Sequence, residues 1–179
     1  MRMIRRIARL ADVVLLAWIV CLGLPPLIAQ GGVPPTCGSS GTTFKVALDS
    51  NDHTLAQPEP GKALVYFVHD AGMTGGTLGY PTVRVAIDGA WASANHGNSW
   101  FSIPVQPGDH HVCVNLQSSL FDGRMELMHF TAEPNKVYFF RTRLVMSRAV
   151  ELLELQPIDG DEGEYLVGAF SRSHATRKK

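Results

Sequence analysis

Short β-forming runs separated by turn signals fill the chain from Lys62 to Gly160, and the turns recur about every ten residues. The stretch ALVYFVH, residues 63–69, is nearly continuously apolar, as in a strand that is covered on both faces. The stretch TVRVAID, residues 82–88, carries a branched apolar side chain at every second position, which is the period of a strand with one buried face. This pattern predicts a mainly β fold, namely a single antiparallel β-sandwich of the immunoglobulin-like type found in surface modules.

A single helix is predicted, near the C-terminus. Residues 159–170 begin with the acidic run DGDEGE, which suits the positive end of a helix, and the apolar run YLV follows. Glycine, proline and serine are frequent in residues 30–61, which predicts a flexible lead-in with one possible strand at Phe44–Leu48. The predicted organisation is therefore a signal peptide at 1–29, the lead-in at 30–61, the β-sandwich at 62–158, the helix at 159–170 and a disordered basic tail at 171–179.

Residues 1–29 have the composition of a secretory signal peptide. Several arginines precede an apolar run of about a dozen residues at Val13–Leu24, and a proline pair and the small residue Ala29 follow. A membrane-spanning helix needs about 20 apolar residues, so cleavage and a periplasmic or extracellular location are expected. An uncleaved signal that tethers the protein to the inner membrane is the alternative. Neither Cys21 nor Cys37 lies in the small-residue context of lipoprotein processing, so no lipid anchor is expected.

Charge and cysteine content narrow the possible partners and the compartment. Without residues 1–29 the net charge is about −3, and the chain has no basic stripe, so nucleic-acid binding is not expected. The cysteines that remain are Cys37 and Cys113, and two cysteines in an oxidising compartment most often pair. We therefore predict a Cys37–Cys113 disulfide. Its loop of about 75 residues corresponds to roughly 4 kcal/mol of stabilisation in the chain-entropy description.

The stretch PGDHHVCVN, residues 107–115, places two histidines and a cysteine within four positions. These residue types bind zinc. On a strand that follows a Pro-Gly turn, however, neighbouring side chains point to opposite faces. His110 then lies on the side of the core-facing valines, and His111 and Cys113 lie on the other side. At most two of the three can share a metal ion, so no metal site is predicted and the disulfide is favoured for Cys113.

Four other motifs suggest chemistry, and a structural interpretation is favoured for each. His69 and Asp70 precede a glycine-bearing loop, but no helix follows that could bind an anion at its N-terminus. The acidic run DGDEGE offers calcium ligands, but the pattern of a calcium loop is incomplete at Gly163. The run GNSWF lacks the second glycine of a nucleophile elbow. Trp91 and Trp100 are candidates for a sugar- or peptide-binding platform, with packing in the core as the default.

The segment from about residue 60 to residue 155 resembles the bacterial envelope family called domain of unknown function 2846. The resemblance depends on the order of four motifs: KALVY at 62–66, IDG at 87–89, VQPGDH at 105–110 and KVYF at 136–139. The succession of strand, Asp-Gly, strand and Pro-Gly-x-His is also similar to the small surface β-domains named for a Pro-Glu-Gly-Ala motif, although that motif is not present in this sequence. Members of the first family are typically exported, often with a lipid anchor, and no activity is attached to them. The resemblance therefore implies an exported β-domain and supplies no catalytic residues.

We expect a non-catalytic cell-envelope module with a binding or structural role, without a catalytic site, a metal or a cofactor. The expected partner is an envelope protein or a surface glycan. This expectation rests on the distribution of acidic, basic and nucleophilic residues, which are scattered through turns and lack the convergent set that a reaction requires. The alternative is a periplasmic hydrolase or a metal-binding protein that uses His69, Asp70, His111 and Cys113.

Overall fold

The computed structural model describes residues 37–39, 41–72, 80–117, 125–147 and 150–178, and the predicted signal peptide lies outside them. In these residues the chain is mainly β, with ten strands and one short helix. The strands are β1 Phe44–Asp49, β2 Ala63–Asp70, β3 Thr82–Ile87, β4 Ala90–His96, β5 Ser99–Val105, β6 Gly108–Gln117, β7 Met125–Ala132, β8 Val137–Ser147, β9 Val150–Ile158 and β10 Ser171–Arg177. The helix, α1, spans Gly160–Ala169 and lies between β9 and β10 in the chain.

The strands form two sheets. The larger sheet has six strands in the order β1-β10-β5-β2-β8-β9, and the smaller sheet has four in the order β4-β3-β6-β7. The pairs β2–β8 and β10–β5 are parallel, whereas the other neighbours are antiparallel. The predicted antiparallel arrangement therefore holds for six of the eight neighbouring pairs among the described strands and is wrong for these two. The chain leaves the larger sheet after β5, forms β6 and β7 in the smaller sheet, and returns beside β2 in the same direction, which a hairpin cannot do.

A shared apolar core lies between the two sheets. Val83 and Val85 of β3 are fully buried in it, as the two-residue period predicts. The strand β2 is buried on both faces, again as predicted, because Val65 and Phe67 face the other sheet while Tyr66 lies on the outside of the larger sheet. The remaining strands of this core contribute the buried residues Phe101, Val105, Val112, Val114, Leu116, Phe130, Ala132, Phe140, Leu144 and Leu153.

The helix α1 covers part of the outer face of the larger sheet and confirms the predicted C-terminal helix. Asp159 is its N-cap, and its carboxylate accepts a hydrogen bond from the backbone N–H of Glu162 at 2.8 Å. The Glu162 carboxylate pairs with Arg141 of β8, so these two acidic groups of DGDEGE have partners within the fold. Gly163 allows close approach to the sheet, because a Cβ at this position would overlap the ring of Phe139. The helix contributes Leu166 and Val167 to an apolar cluster with Leu64, Tyr66, Val68, Trp100 and Phe139.

The strand β10 replaces the predicted disordered tail. It pairs with β1 in antiparallel register from Phe44↔Arg177 onward, and the Lys178 N–H donates to Thr43 O at 2.9 Å. Arg177 Nη2 also donates to the Trp91 carbonyl oxygen at 2.7 Å. The tail prediction is wrong. The polar sequence SRSHATR suggests a disordered tail, but its backbone N–H and C=O groups form hydrogen bonds with β1, at the other end of the described chain.

The β1–β10 pair and the segment around Cys37 cover part of the outer face of the smaller sheet. The apolar cluster there consists of Cys37, Phe44, Ala86, Trp91, Ala94 and Cys113. The segment between β1 and β2 also contacts the fold, because the Ala56 N–H donates to the Tyr66 hydroxyl at 2.7 Å. These parts of the predicted flexible lead-in are packed, and the folded region extends beyond residues 62–158 on both sides.

Candidate functional site

The structure does not bring His69, Asp70, His111 and Cys113 together. His69 and Asp70 are consecutive on β2, so they point to opposite faces of the larger sheet. His111 and Cys113 lie on β6, in the smaller sheet. Among the described residues, no three His, Cys, Asp or Glu side chains are grouped as metal ligands. The four residues of the alternative enzyme or metal site therefore do not form one site.

His69 is fully buried and is held by Thr142 of β8. Its Nδ1 lies 2.9 Å from Thr142 Oγ1 and 3.2 Å from the Thr142 carbonyl oxygen, which can only accept, so Nδ1–H is the donor. Its Nε2 has no hydrogen-bond partner in the described part of the chain. Burial lowers the pKa of His69 to about 4, because charging the ring would place a cation away from water. His69 is therefore a buried imidazole that is neutral near pH 7. Asp70 lies on the opposite face and forms an ion pair with Arg143.

Asn95 of β4 connects the two sheets, a role that no sequence motif indicates. It is almost fully buried, and its Nδ2 donates to the Phe67 carbonyl oxygen of β2 at 2.9 Å. Its Oδ1 accepts from Ser99 Oγ of β5 at 3.3 Å and from Ser173 Oγ of β10. Both ends of the amide thus have partners on the larger sheet. Because buried amides are stable only when they are hydrogen-bonded, Asn95 fixes how the sheets pack.

The side chains of β6 divide between two faces, as the strand interpretation predicts. Val112 and Val114 enter the core between the sheets, whereas Cys113 points to the outer face of the smaller sheet. The structure places Cys37 and Cys113 at disulfide distance, with their Cα atoms 5.2 Å apart, in agreement with the predicted pair. The bridge ties the segment before β1 to the smaller sheet, and it is compatible with a periplasmic or extracellular location.

Trp91 and Trp100 do not form a binding platform, because both rings are buried and they belong to separate clusters. Trp91 packs beside the disulfide, and its Nε1–H donates to Ser39 O at 3.0 Å. The Arg84 guanidinium carbon lies 4.6 Å from the centroid of the Trp91 ring, which is a cation–π contact. Gly38 lies directly against this ring, since a Cβ there would be 2.7 Å from Trp91 Cδ1. The default interpretation of core packing is therefore confirmed for both tryptophans.

Next to the disulfide, the outer face of β6 and β7 is exposed. His111 of β6 and His129 of β7 stand directly opposite each other in the strand register, and their ring centroids are 5.2 Å apart. On the same face, Met125 and Leu127 are 45% and 57% exposed. We call this surface the histidine face and define it by Asp109, His111, Met125, Leu127, His129 and Thr131. It is the candidate functional site.

The tight turn between β3 and β4 positions the start of β6. This turn is an Asp-Gly pair, with φ values of 50° at Asp88 and 78° at Gly89. Asp88 Oδ1 accepts from the His111 backbone N–H at 2.9 Å, and its Oδ2 lies 2.7 Å from His110 Nδ1. Burial alone would lower the pKa of His110, but hydrogen bonds to the Gln106 carbonyl oxygen and to Asp88 favour the charged ring and raise this pKa overall. The Asp88 carboxylate therefore holds the backbone of His111 in place.

A second carboxylate lies within the histidine face. Asp109 Oδ1 accepts from Thr131 Oγ1 at 2.7 Å and lies 3.8 Å from His129 Nε2. The face thus combines two solvent-accessible imidazoles, one oriented carboxylate and two exposed apolar side chains. Sequence reasoning missed the pairing of His111 with His129, because the two residues are brought together only by the register of β6 and β7.

Comparison with known proteins does not assign the chain to a family. No family description, curated protein or solved structure matches it. The resemblance of residues 60–155 to an envelope family therefore stays a prediction. In the part of the chain that the structure describes, no helix has both the length and the apolar character needed to cross a membrane.

Proposed function

We propose that the protein is an exported, non-catalytic module of the cell envelope, with an immunoglobulin-like β-sandwich that binds an envelope protein through the histidine face. The exposure of Met125 and Leu127 beside the imidazoles of His111 and His129 carries the proposal. Apolar side chains that are exposed next to groups able to form hydrogen bonds are typical of protein-binding surfaces. The expected partner presents apolar side chains to Met125 and Leu127, and carboxylate or carbonyl oxygens to the two rings.

A protein partner is favoured over a surface glycan by the kind of side chain that is exposed. Met125 and Leu127 are aliphatic and flexible, which suits packing against another protein. The rings of Trp91 and Trp100, which could stack on a sugar, are buried. The glycan is therefore the second choice as a ligand of this face.

Export is supported by the composition of residues 1–29 and by the Cys37–Cys113 pair. We further propose that the chain is a member of the envelope family that residues 60–155 resemble. Intact mass of the protein recovered from the envelope tests export, because cleavage removes residues 1–29 and the disulfide removes two hydrogens. Two free thiols would contradict the disulfide, and the full-length mass would contradict cleavage and favour the alternative of an uncleaved signal that tethers the protein to the inner membrane.

Site-specific photo-cross-linking in cells tests the binding surface. A photoreactive phenylalanine derivative replaces Leu127 in one variant and Tyr165 in a control; Tyr165 is 73% exposed but lies on α1, away from the histidine face. We expect a discrete protein adduct from position 127 and none from position 165. His111→Gln should weaken the adduct at position 127, and His174→Gln on β10 should not.

Three outcomes would overturn the proposed binding surface. The first is the absence of any adduct at position 127. The second is the same adduct at positions 127 and 165, because it would report abundance rather than contact. The third is an adduct at position 127 that consists of glycan alone, which would replace the protein partner by a sugar.

A further inference from the structure

We infer that His111 and His129 form a binding site for a divalent transition-metal ion, with Cu(II) as the ion that binds most strongly. The two residues are directly opposite each other on neighbouring antiparallel strands, so both rings project from the same face. The His129 side chain is 54% exposed, so an ion can reach its ring from solvent. Imidazole nitrogens are common ligands of copper, zinc and nickel.

The separation of the two rings fits chelation of one ion. A metal–nitrogen distance of about 2.0–2.1 Å and a ring centroid about 1.2 Å behind each nitrogen place the centroids of two imidazoles about 4.5 Å apart at the 90° angle of a tetragonal Cu(II) site, and about 5.2 Å apart at a tetrahedral angle. The observed separation between the centroids of His111 and His129 is 5.2 Å, and their planes meet at 48°. The register of β6 and β7 therefore already brings the two rings close to the separation that one bound ion requires.

The surroundings of the pair favour a cation. The Asp109 carboxylate lies 3.8 Å from His129 Nε2 and is oriented by the hydroxyl hydrogen of Thr131. A carboxylate beside a ligating imidazole orients the ring and increases its basicity. The hydrogen bond from the His111 N–H to Asp88 fixes the backbone of the second ligand. The sulfur of Cys113 belongs to the disulfide, so it does not compete for the ion.

The site provides two protein ligands and leaves other coordination positions open. No third His, Cys, Asp or Glu joins the pair as a ligand among the described residues, so water completes the coordination. The affinity of such a site for divalent metal ions follows a general order, in which Cu(II) binds more strongly than Ni(II) and Zn(II). The partner-binding proposal does not depend on the ion, because cross-linking at position 127 can be repeated in the presence of a chelator.

Titration of the full exported chain with Cu(II), with the disulfide intact, tests the site. The variants His111→Gln and His129→Gln each remove one ligand, and His174→Gln removes an exposed histidine of β10 as a matched control. We expect the first two variants to lose at least about tenfold in Cu(II) affinity, Asp109→Asn to lose up to about tenfold, and His174→Gln to match the wild type. Electron paramagnetic resonance should show two coordinated imidazole nitrogens in the wild type and one in each single ligand variant.

A retained affinity in both His111→Gln and His129→Gln, or an equal loss in His174→Gln, would overturn the metal site. A second measurement uses the wild type alone and so does not depend on how the variants fold. Substoichiometric Cu(II) should broaden the imidazole proton signals of His111 and His129 before those of His174. Simultaneous broadening of all three would also refute the site, and neither result would bear on cross-linking at position 127.

Discussion

The outer faces of the two sheets differ in how they are covered. On the larger sheet, α1 packs over a cluster that includes Tyr66, Trp100 and Phe139, whose side chains are almost completely buried. On the smaller sheet, the disulfide-linked segment and the β1–β10 pair cover the region of Trp91, whereas the histidine face stays exposed. The difference shows that one strand can serve two purposes. In β6, Cys113 anchors a covering segment, and His111, two residues earlier on the same face, belongs to the exposed site.

The histidines also differ in whether they are buried or exposed. His69 is sealed between the sheets and keeps its proton on the nitrogen that faces Thr142. His111 and His129 face solvent, where an ion or a partner can reach them. Burial therefore decides which imidazoles are structural, and the covered regions should respond to substitution far more strongly than the histidine face.

Removal of the disulfide should have the largest effect on stability. The double variant Cys37→Ala/Cys113→Ala should lose about 4 kcal/mol of unfolding free energy, because the bridge closes a long loop in the unfolded chain. Urea unfolding of the variant and of the oxidised wild type measures the difference. A loss below about 1 kcal/mol would show that the covering segment is held by its apolar contacts alone.

Acid should destabilise the wild type through His69. Its pKa is about 4 in the folded protein and 6.5 in its ordinary state, so between these values the unfolded chain binds a proton that the folded chain excludes. The stabilising contribution is complete above about pH 6.5 and is lost as the pH falls to about 4, by roughly 3 kcal/mol. His69→Phe should remove this loss on acidification in urea unfolding measured against pH, and leave the opposite contribution of His110, whose pKa is raised. An unchanged slope would show that other groups cause it.

Addition of a methyl group under α1 should disturb the covered face of the larger sheet. Gly163→Ala should cost about 2 kcal/mol, because the new Cβ would overlap the Phe139 ring. Gly168→Ala is a matched control in the same helix, where a Cβ meets nothing within 4 Å, and it should be neutral or stabilising by about 0.5–1 kcal/mol. Thermal unfolding compares the two variants. Equal effects would mean that α1 does not pack closely on β8.

Substitution on the histidine face should have the smallest effect. Leu127→Ser should change the unfolding free energy by less than about 0.5 kcal/mol, because the side chain is 57% exposed. Urea unfolding of Leu127→Ser and of Gly163→Ala measures the change in unfolding free energy for both variants. A loss as large as that of Gly163→Ala would mean that Leu127 packs within the protein, and the histidine face would then not be an open surface.

Much of the fold is predictable from local patterns. The alternation in TVRVAID predicts the burial of Val83 and Val85, because successive side chains of a strand point to opposite faces. The acidic run before YLV predicts α1, because capping and the helix dipole act within one turn. The polar run SRSHATR does not reveal β10, because the hydrogen bonds that order it come from β1. The histidine face is missed for the same reason, since His111 and His129 are 18 positions apart in the numbering.

The sequence by itself determined the strand periods, the position of the helix and the chemistry of two cysteines that can pair. The strand periods and the helix depend on residues that are neighbours along the chain, and the predicted disulfide depends on the presence of two cysteines after residue 29. Only the tertiary structure decided that β8 runs parallel to β2, that β10 joins β1, and that His111 faces His129. Strand order and register are set by contacts between segments far apart in sequence, and a local pattern carries no information about which segment will be the partner.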